Sequence, residues 1–146
     1  MSVLDAGAIA ALVPHAGAMM LLDSVAAWDA TSIACRARSH LDPANPLRRD
    51  GRLAALCGLE YALQAAALHG ALCAGGPAAA GYVASLRDVA WTVERLDDPA
   101  LDTLDVRATL EHREGGGMLY ALELRSAAGA VLVTGRAGII VPAPAA

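Results

Sequence analysis

LCGLEYALQAAALHG, residues 56–70, gives the clearest indication of the fold. It contains one carboxylate, Glu60, and one amide, Gln64, in a run otherwise made almost wholly of apolar or small residues. The run belongs to a predicted helix that begins near Leu53 and ends in the glycines and proline of CAGGPAAAG, residues 73–81. Because so few of its side chains are polar, this helix has to be covered on nearly all sides. The sequence therefore predicts one long, central helix.

Length and composition set the size of the core. The 146 residues fit a single domain over 1–146, with 56% hydrophobic residues but only 3% aromatic ones. A small domain with a core of Ala, Leu and Val often gains buried surface by pairing with a second copy of itself. Glu60, Gln64 and His69 interrupt the apolar run, and an acid at the centre of a bilayer costs about 2.5–3.5 kcal/mol. We therefore expect a buried helix and no membrane span.

Charge and cysteine content exclude several classes of function. The net charge is −4 and the basic residues are scattered, which argues against nucleic-acid or anionic-membrane partners. Cys35, Cys57 and Cys73 have no CxxC spacing and no secretion signal, so we expect thiols in a reducing cytoplasm. No motif for a metal or a nucleotide is present in the sequence, so we expect no metal and no cofactor.

Strand patterns flank the helix. A short helix from Asp5 to Val13, capped by Asp5 and ended by Pro14, is predicted first. The predicted strands are MMLLDSVAAWD at 19–29 and SIACRARS at 32–39, then a meander of about four strands after Gly81 that includes TLDVRATLEH at 103–112, MLYALELRS at 118–126 and VLVTGRAGIIV at 131–141. Period-two alternation predicts that Ile33, Cys35 and Ala37 share one face of their strand, and that Leu104, Val106, Ala108 and Leu110 share one face of theirs. The three glycines at 115–117 predict a turn between two of these strands. This order predicts an α+β fold in which an antiparallel sheet wraps around one long central helix.

Glu60 and Gln64 are four residues apart and therefore share one face of the helix. A carboxyl group in apolar surroundings favours its neutral form and can donate a proton near neutral pH. The alternative is that this part of the helix is less buried, so that Glu60 reaches solvent or pairs with an arginine such as Arg52. Both interpretations remain open from the residues alone.

Four histidines are available to complete an acid–base pair. His15 lies in LVPHAGAMMLLDSV, residues 12–25, where a loop enters the first predicted strand, and His40 ends the second strand. His69 follows Glu60 by nine residues, or two and a half turns, so it points away from the face of Glu60. We interpret His69 and His112 as core or surface residues. Without a GxSxG motif, the remaining chemistry is acid–base catalysis.

Two of these stretches resemble the hotdog-fold 3-hydroxyacyl-(acyl-carrier-protein) dehydratases, in particular the divergent branch of aryl-polyene biosynthesis. LVPHAGAMMLLDSV is similar to the family's opening L-P-H-x-x-P-M/F-L-L-x-D-x-V, and GLEYALQ, residues 58–64, to its helix pattern of Glu followed four residues later by Gln. One residue departs from the fatty-acid branch, whose histidine about fourteen residues before the acid is replaced here by Pro46. Either His15 supplies the imidazole, or His40 does, or activity is lost, and we favour His15.

The resemblance implies a mechanism as well as a hotdog fold. Backbone N–H groups near Ala55 and Leu56 would polarise the thioester carbonyl of a 3-hydroxyacyl chain. His15 would take the proton from the α-carbon, and Glu60 would protonate the departing hydroxyl, leaving a trans-2-enoyl thioester. Gln64 would hold Glu60 in position.

The resemblance also implies partners. The family works as a homodimer on substrates attached to an acidic acyl carrier protein. Arg48, Arg49 and Arg52 would form the landing patch for that protein, although a solvated loop is an equally good interpretation of these arginines. Two other functions remain open: a thioesterase, since the same fold hosts acyl-thioester hydrolysis, and a non-catalytic subunit that supports an active dehydratase.

Overall fold

The computed structural model describes residues 3–13, 19–77 and 81–142. Its elements are β1 (Leu4–Asp5), α1 (Ala6–Ala10), β2 (Ser24–Trp28), β3 (Ser32–Ala37), α2 (Gly58–Ala74), β4 (Tyr82–Trp91), β5 (Leu104–Glu114), β6 (Gly117–Arg125) and β7 (Val131–Ile140). The seven strands form one antiparallel sheet in the order β1-β2-β3-β5-β6-β7-β4. Within the described residues, no helix combines the length and the apolar character needed to cross a membrane.

The long helix α2 packs across the middle of the sheet, against β3, β5, β6 and β7. Gly58 allows the close approach of its first turn, because a Cβ at that position would lie 2.9 Å from the Leu124 side chain of β6. The helix ends at Gly75, which adopts the left-handed conformation with φ 82° and donates its N–H to carbonyls of the last turn. The α+β fold with an antiparallel sheet around one central helix is therefore confirmed.

The start of the helix differs from the sequence prediction. Residues 53–55 are extended and bridge to residues 94–96: the Leu96 N–H donates to Leu53 O (2.7 Å) and the Ala55 N–H donates to Glu94 O (3.0 Å). A 3-10 turn, Ala55–Cys57, then leads into α2. The Asp97 carboxylate accepts from the Leu53 N–H (3.0 Å), so these bonds outcompete helix formation at this point.

The alternating patterns identify the inward faces of the strands. Ile33, Cys35 and Ala37 of β3 are buried, as predicted. Leu104, Val106 and Ala108 of β5 are also buried, and a tight turn at Gly115 and Gly116 joins β5 to β6 as predicted. These faces cover α2 and form one hydrophobic core with it.

Near the N-terminus the elements are shorter than predicted. Asp5 caps α1 by accepting from the Ala8 N–H (2.9 Å), as expected, but the helix ends at Ala10. The strand predicted to begin near Met19 begins only at Ser24.

Strand β4 lies at one edge of the sheet and pairs only with β7 in the part of the chain that the structure describes. Its register shifts twice, between Val83 and Ser85 and between Arg87 and Ala90. Asp88, inside the second shift, has a positive φ of 54°. Large apolar side chains of β4 are exposed, namely Tyr82, Val83, Leu86 and Trp91. An edge strand with exposed apolar residues is a surface for pairing.

Candidate functional site

A cavity of about 1020 Å³ lies along one side of α2. The helix contributes Glu60, Leu63, Gln64, Ala66, Ala67, Gly70 and Ala71 to its wall. The other walls come from the residues after α1, the first residues of β4, the hairpin between β5 and β6, and the end of β7. The lining is largely apolar, so the cavity suits a hydrocarbon chain.

Glu60 is the third residue of α2 and lines this cavity. Its side chain is exposed, which corrects the expectation of a buried acid. The reason is that the chain's own sheet covers the opposite side of the first turn, around Gly58 and Leu59, and leaves Glu60 open.

Gln64 is buried, with 4% of its surface exposed. Its Oε1 accepts from the Leu21 N–H (3.0 Å) and its Nε2 donates to Met19 O (2.6 Å). The amide thus fastens the chain that precedes β2 onto α2, instead of holding Glu60 as expected. Leu21 is fully buried but belongs to no strand, so the bond from Gln64 satisfies a backbone N–H that a strand partner would otherwise satisfy.

His15, the favoured base, lies in residues 14–18, which are outside the described residues. The described residues on both sides of this segment are close to the site. Val13 lines the cavity, and Met19 is bonded to Gln64, one turn after Glu60 on α2.

His40, the alternative base, is completely buried and is not among the residues that line the cavity. Neither ring nitrogen has a hydrogen-bond partner within the described residues. Burial lowers the pKa of His40. The backbone of Asp102 opposes this shift, but it forms no hydrogen bond with either ring nitrogen. This placement does not support a role for His40 beside Glu60.

His69 is a core residue, which is one of the two placements expected for it. Its Nε2 donates to Asp29 O (2.8 Å), because a carbonyl can only accept, and its Nδ1 therefore accepts from the Tyr120 hydroxyl (2.7 Å). Burial raises the pKa of Tyr120 to about 12. His112 is exposed and lies 3.4 Å from a carboxylate oxygen of Glu114.

Of the two backbone groups expected to polarise a thioester, only one is available. The Ala55 N–H is taken by Glu94 O, so the prediction for Ala55 is wrong. The Leu56 N–H has no backbone acceptor among the described residues, and Leu56 is 47% exposed. A donor at Leu56 therefore stays a prediction.

The three arginines before α2 differ in their roles. Arg48 donates to His40 O (3.0 Å) and to Gly51 O (3.1 Å), so it supports its own loop. Arg49 and Arg52 are exposed, although Arg49 also donates to two carbonyls of the loop, Pro46 O (3.3 Å) and Arg48 O (3.0 Å). No acid pairs with any of the three in the described ranges.

Sequence reasoning missed the residues at the other end of the cavity. Arg113, the glycines 115–117, Met118 and Tyr120 all line it. The glycine run was interpreted only as a turn, and Arg113 lies in a polar strand end that resembles a solvated surface. Within residues 3–13, 19–77 and 81–142 there is no cluster of three or more His, Cys, Asp or Glu side chains that could hold a metal.

An antiparallel sheet around one central helix, with an apolar cavity along that helix, defines a hotdog-fold protein. The chain matches the ApeP-like family, described as ApeP dehydratase, over residues 7–146. It therefore belongs to the ApeP-like family of hotdog-fold dehydratases.

Solved structures show the same fold. A chain of the dehydratase heterocomplex ApeI:P from Xenorhabdus doucetiae superposes with a TM-score of 0.79 at 22% identity, covering 92% of this chain and 91% of that chain. AziG from S. sahachiroi follows with a TM-score of 0.60 at 17% identity and coverages of 84% and 91%. The thioesterase HI1161 from Haemophilus influenzae also has a TM-score of 0.60, at 13% identity, with coverages of 82% and 77%. No curated protein matches the chain in sequence.

Proposed function

We propose that this protein removes water from a 3-hydroxyacyl thioester carried by an acyl carrier protein, giving a trans-2-enoyl thioester. The observation that carries the proposal is the position of Glu60 at the wall of a largely apolar cavity of about 1020 Å³. A carboxyl group beside a hydrocarbon-sized cavity is the arrangement that elimination from an acyl chain needs. Membership of the ApeP-like dehydratase family supports the same reaction.

The proposed elimination divides two proton transfers between two side chains. His15 takes the proton from the α-carbon, and the electrons of that C–H bond form the new C=C bond. Glu60 gives a proton to the hydroxyl as its C–O bond breaks, so that water leaves. The N–H of Leu56, which has no backbone acceptor among the described residues, polarises the thioester carbonyl. Gln64 supports the geometry indirectly, because it anchors Met19 and Leu21 and hence one end of the segment that contains His15.

We further propose that a second hotdog subunit covers β4 and closes the cavity beside Glu60. Tyr82 and Val83 belong both to the exposed edge strand and to the cavity wall, so a chain that pairs with β4 also contacts the cavity. The similar Xenorhabdus doucetiae structure is a heterocomplex. We therefore propose a different hotdog subunit as the partner, in place of the homodimer expected from the sequence.

The proposed landing site for the acidic carrier protein is Arg49 and Arg52 together with the exposed Leu56, with Arg48 as its internal support. Opposite charge and an exposed apolar side chain favour such a contact.

The three cysteines are free thiols, which agrees with a reducing cytoplasm as the compartment.

The test is mass spectrometry of 3-hydroxyacyl carrier-protein thioesters incubated with the protein, alone and with its partner subunit. We expect loss of water with the wild type and a rate about 10²–10⁴-fold lower in Glu60→Gln and in His15→Ala. Glu94→Gln and His112→Ala are matched controls, because both side chains are exposed and lie outside the cavity lining. An unchanged rate in Glu60→Gln would refute the assignment of the acid.

A non-catalytic subunit is the second candidate, because Glu60 is not desolvated by its own chain. In that case water loss requires the partner subunit and is insensitive to both substitutions. Release of a free acid would instead identify a thioesterase.

A further inference from the structure

Arg113 lies at the end of the cavity opposite to Glu60. Gly58 at the start of α2 approaches Leu124 of β6, while His69, eleven residues further along the chain, bonds to Tyr120 of β6. Helix and strand therefore run side by side towards the hairpin, and Arg113 lies beyond Tyr120 in that direction. Along α2, the cavity wall from residue 60 to residue 71 spans about 16 Å.

A β-bulge turns Arg113 towards the cavity. Regular alternation after the buried Ala108 would place residues 110 and 112 on the inner face. The register of β5 shifts between Leu110 and His112, so that Leu110 pairs with Tyr120 but Arg113 pairs with Met118. Tyr120 and Met118 line the cavity, and Arg113 therefore lines it as well, while His112 faces away. Bulges commonly re-aim a side chain in this way.

The charge of Arg113 is left without an acidic partner among the described residues. The nearby acids bind elsewhere, since Glu111 accepts from Arg136 (2.8 Å) and Glu114 lies 3.4 Å from His112. Within the ranges that the structure describes, the guanidinium group donates only to the thioether sulfur of its cross-strand neighbour Met118, at 3.8 Å. Sulfur is a weak acceptor, so the guanidinium keeps donors available for a ligand.

The wall between the two ends is largely apolar, and the amide of Gln64 within it is already bonded to backbone. Leu63, Ala67, Gly70 and Ile139 line it. A pantetheine arm carries amides that need hydrogen-bond partners, whereas a hydrocarbon chain needs none, so this stretch fits the acyl chain. At about 1.2 Å of advance per bond, about 16 Å holds about thirteen bonds, or about fourteen carbon atoms.

We infer that Arg113 selects acyl chains whose far end carries a hydrogen-bond acceptor, most strongly a carboxylate. A guanidinium group binds a carboxylate through two parallel hydrogen bonds, whereas a methyl end leaves its donors unpaired. The inference rests on the proposed function, because it takes the thioester to lie at the Glu60 end. It adds that the substrate is polar at both ends.

The test uses saturated acyl-pantetheine thioesters, which have no 3-hydroxyl group and cannot be dehydrated. Two probes of equal length, one ending in a methyl group and one in a carboxylate, are titrated calorimetrically at pH 8 into the full chain, together with its partner subunit where the two copurify. We expect the carboxylate probe to bind about tenfold more tightly, the low end for a charge-assisted hydrogen bond. Arg113→Met abolishes the preference and Arg113→Lys keeps part of it.

Arg36→Met is the matched control, because Arg36 is exposed on β3 and does not line the cavity. Equal affinity for the two probes, no binding of either, or a preference that survives Arg113→Met overturns the inference. Dehydration of the 3-hydroxyacyl counterparts is measured separately. If the carboxylate probe is preferred but no water is lost, the inference about Arg113 stands and the proposed reaction is rejected. If water is lost but neither probe is preferred, the proposed reaction stands and the inference is rejected.

Discussion

Gln64 gives the sharpest test of how the site is held together. Replacing it with Leu removes the acceptor of the Leu21 N–H and the donor to Met19 O. Leu21 is fully buried, so its N–H is left unsatisfied at a cost of about 1–3 kcal/mol. Met19 is 37% exposed, so water replaces the lost bond to its carbonyl and adds little. We expect Gln64→Leu to lower the free energy of unfolding by about 2 kcal/mol.

Urea denaturation measures this loss, and hydrogen exchange at the Leu21 amide locates it. Gln64→Glu is the matched control, because a protonated carboxyl can both accept from Leu21 and donate to Met19. Burial raises the pKa of an introduced carboxyl above its unfolded value of about 4.3. The Gln64→Glu protein is therefore most stable below the unfolded pKa of about 4.3, and it loses this stability as the pH rises through the folded pKa of the new carboxyl. A Gln64→Leu protein within about 0.5 kcal/mol of the wild type, with the Leu21 amide still protected, would show that the reasoning is wrong.

Three further predictions concern the core. Gly58→Ala should destabilise the fold by about 1–3 kcal/mol, because the new Cβ would lie 2.9 Å from a β6 side chain. Gly70→Ala has no atom within 4 Å of its new Cβ and should stabilise the fold by about 0.5–1 kcal/mol. Urea denaturation measures both changes, and equal effects would contradict this reasoning. Burial lowers the pKa of His40, so the unfolded state takes up the proton first and the wild type loses stability as the pH falls below about 6.5. His40→Leu should remove this loss in urea titrations at several pH values, and a variant as steep as the wild type would speak against it. Tyr120→Phe leaves Nδ1 of His69 without a hydrogen-bond donor and should lower the free energy of unfolding by about 1–3 kcal/mol. Thermal denaturation should show a fall in Tm of about 2–4 °C per kcal/mol, and an unchanged Tm would show that this hydrogen bond does not stabilise the fold.

Local patterns were sufficient for much of the fold. Alternation in β3 and β5 identified the faces that are buried, and the glycines after residue 74 marked the end of α2. These features depend on neighbours a few residues away. The pairing of β4 with β7 joins segments about fifty residues apart, and no local pattern specifies it.

The candidate site was less accessible to sequence reasoning, because its geometry depends on distant backbone contacts. One motif was enough to single out Glu60, but the carbonyl that accepts the Ala55 N–H belongs to Glu94, far along the chain. Arg113 is exposed but lies at the cavity wall because of a single extra residue in β5, which period-two reasoning cannot detect. Gln64 likewise bonds to the backbone of Met19 and Leu21. Every residue carries these backbone groups, so the contact leaves no pattern in the sequence.

The interrupted strand β4 has a consequence for how far assembly can proceed. A regular edge strand is a template on which chains can add one after another, as they do when fibrils grow. In β4 the two register shifts break the even spacing of backbone groups, and the charged Arg87 and Asp88 stand where a fibril would need dry, identical contacts. These features oppose the repeated addition of strands along this edge. With the second subunit proposed for β4, the edge would therefore give a finite complex instead of an endless one.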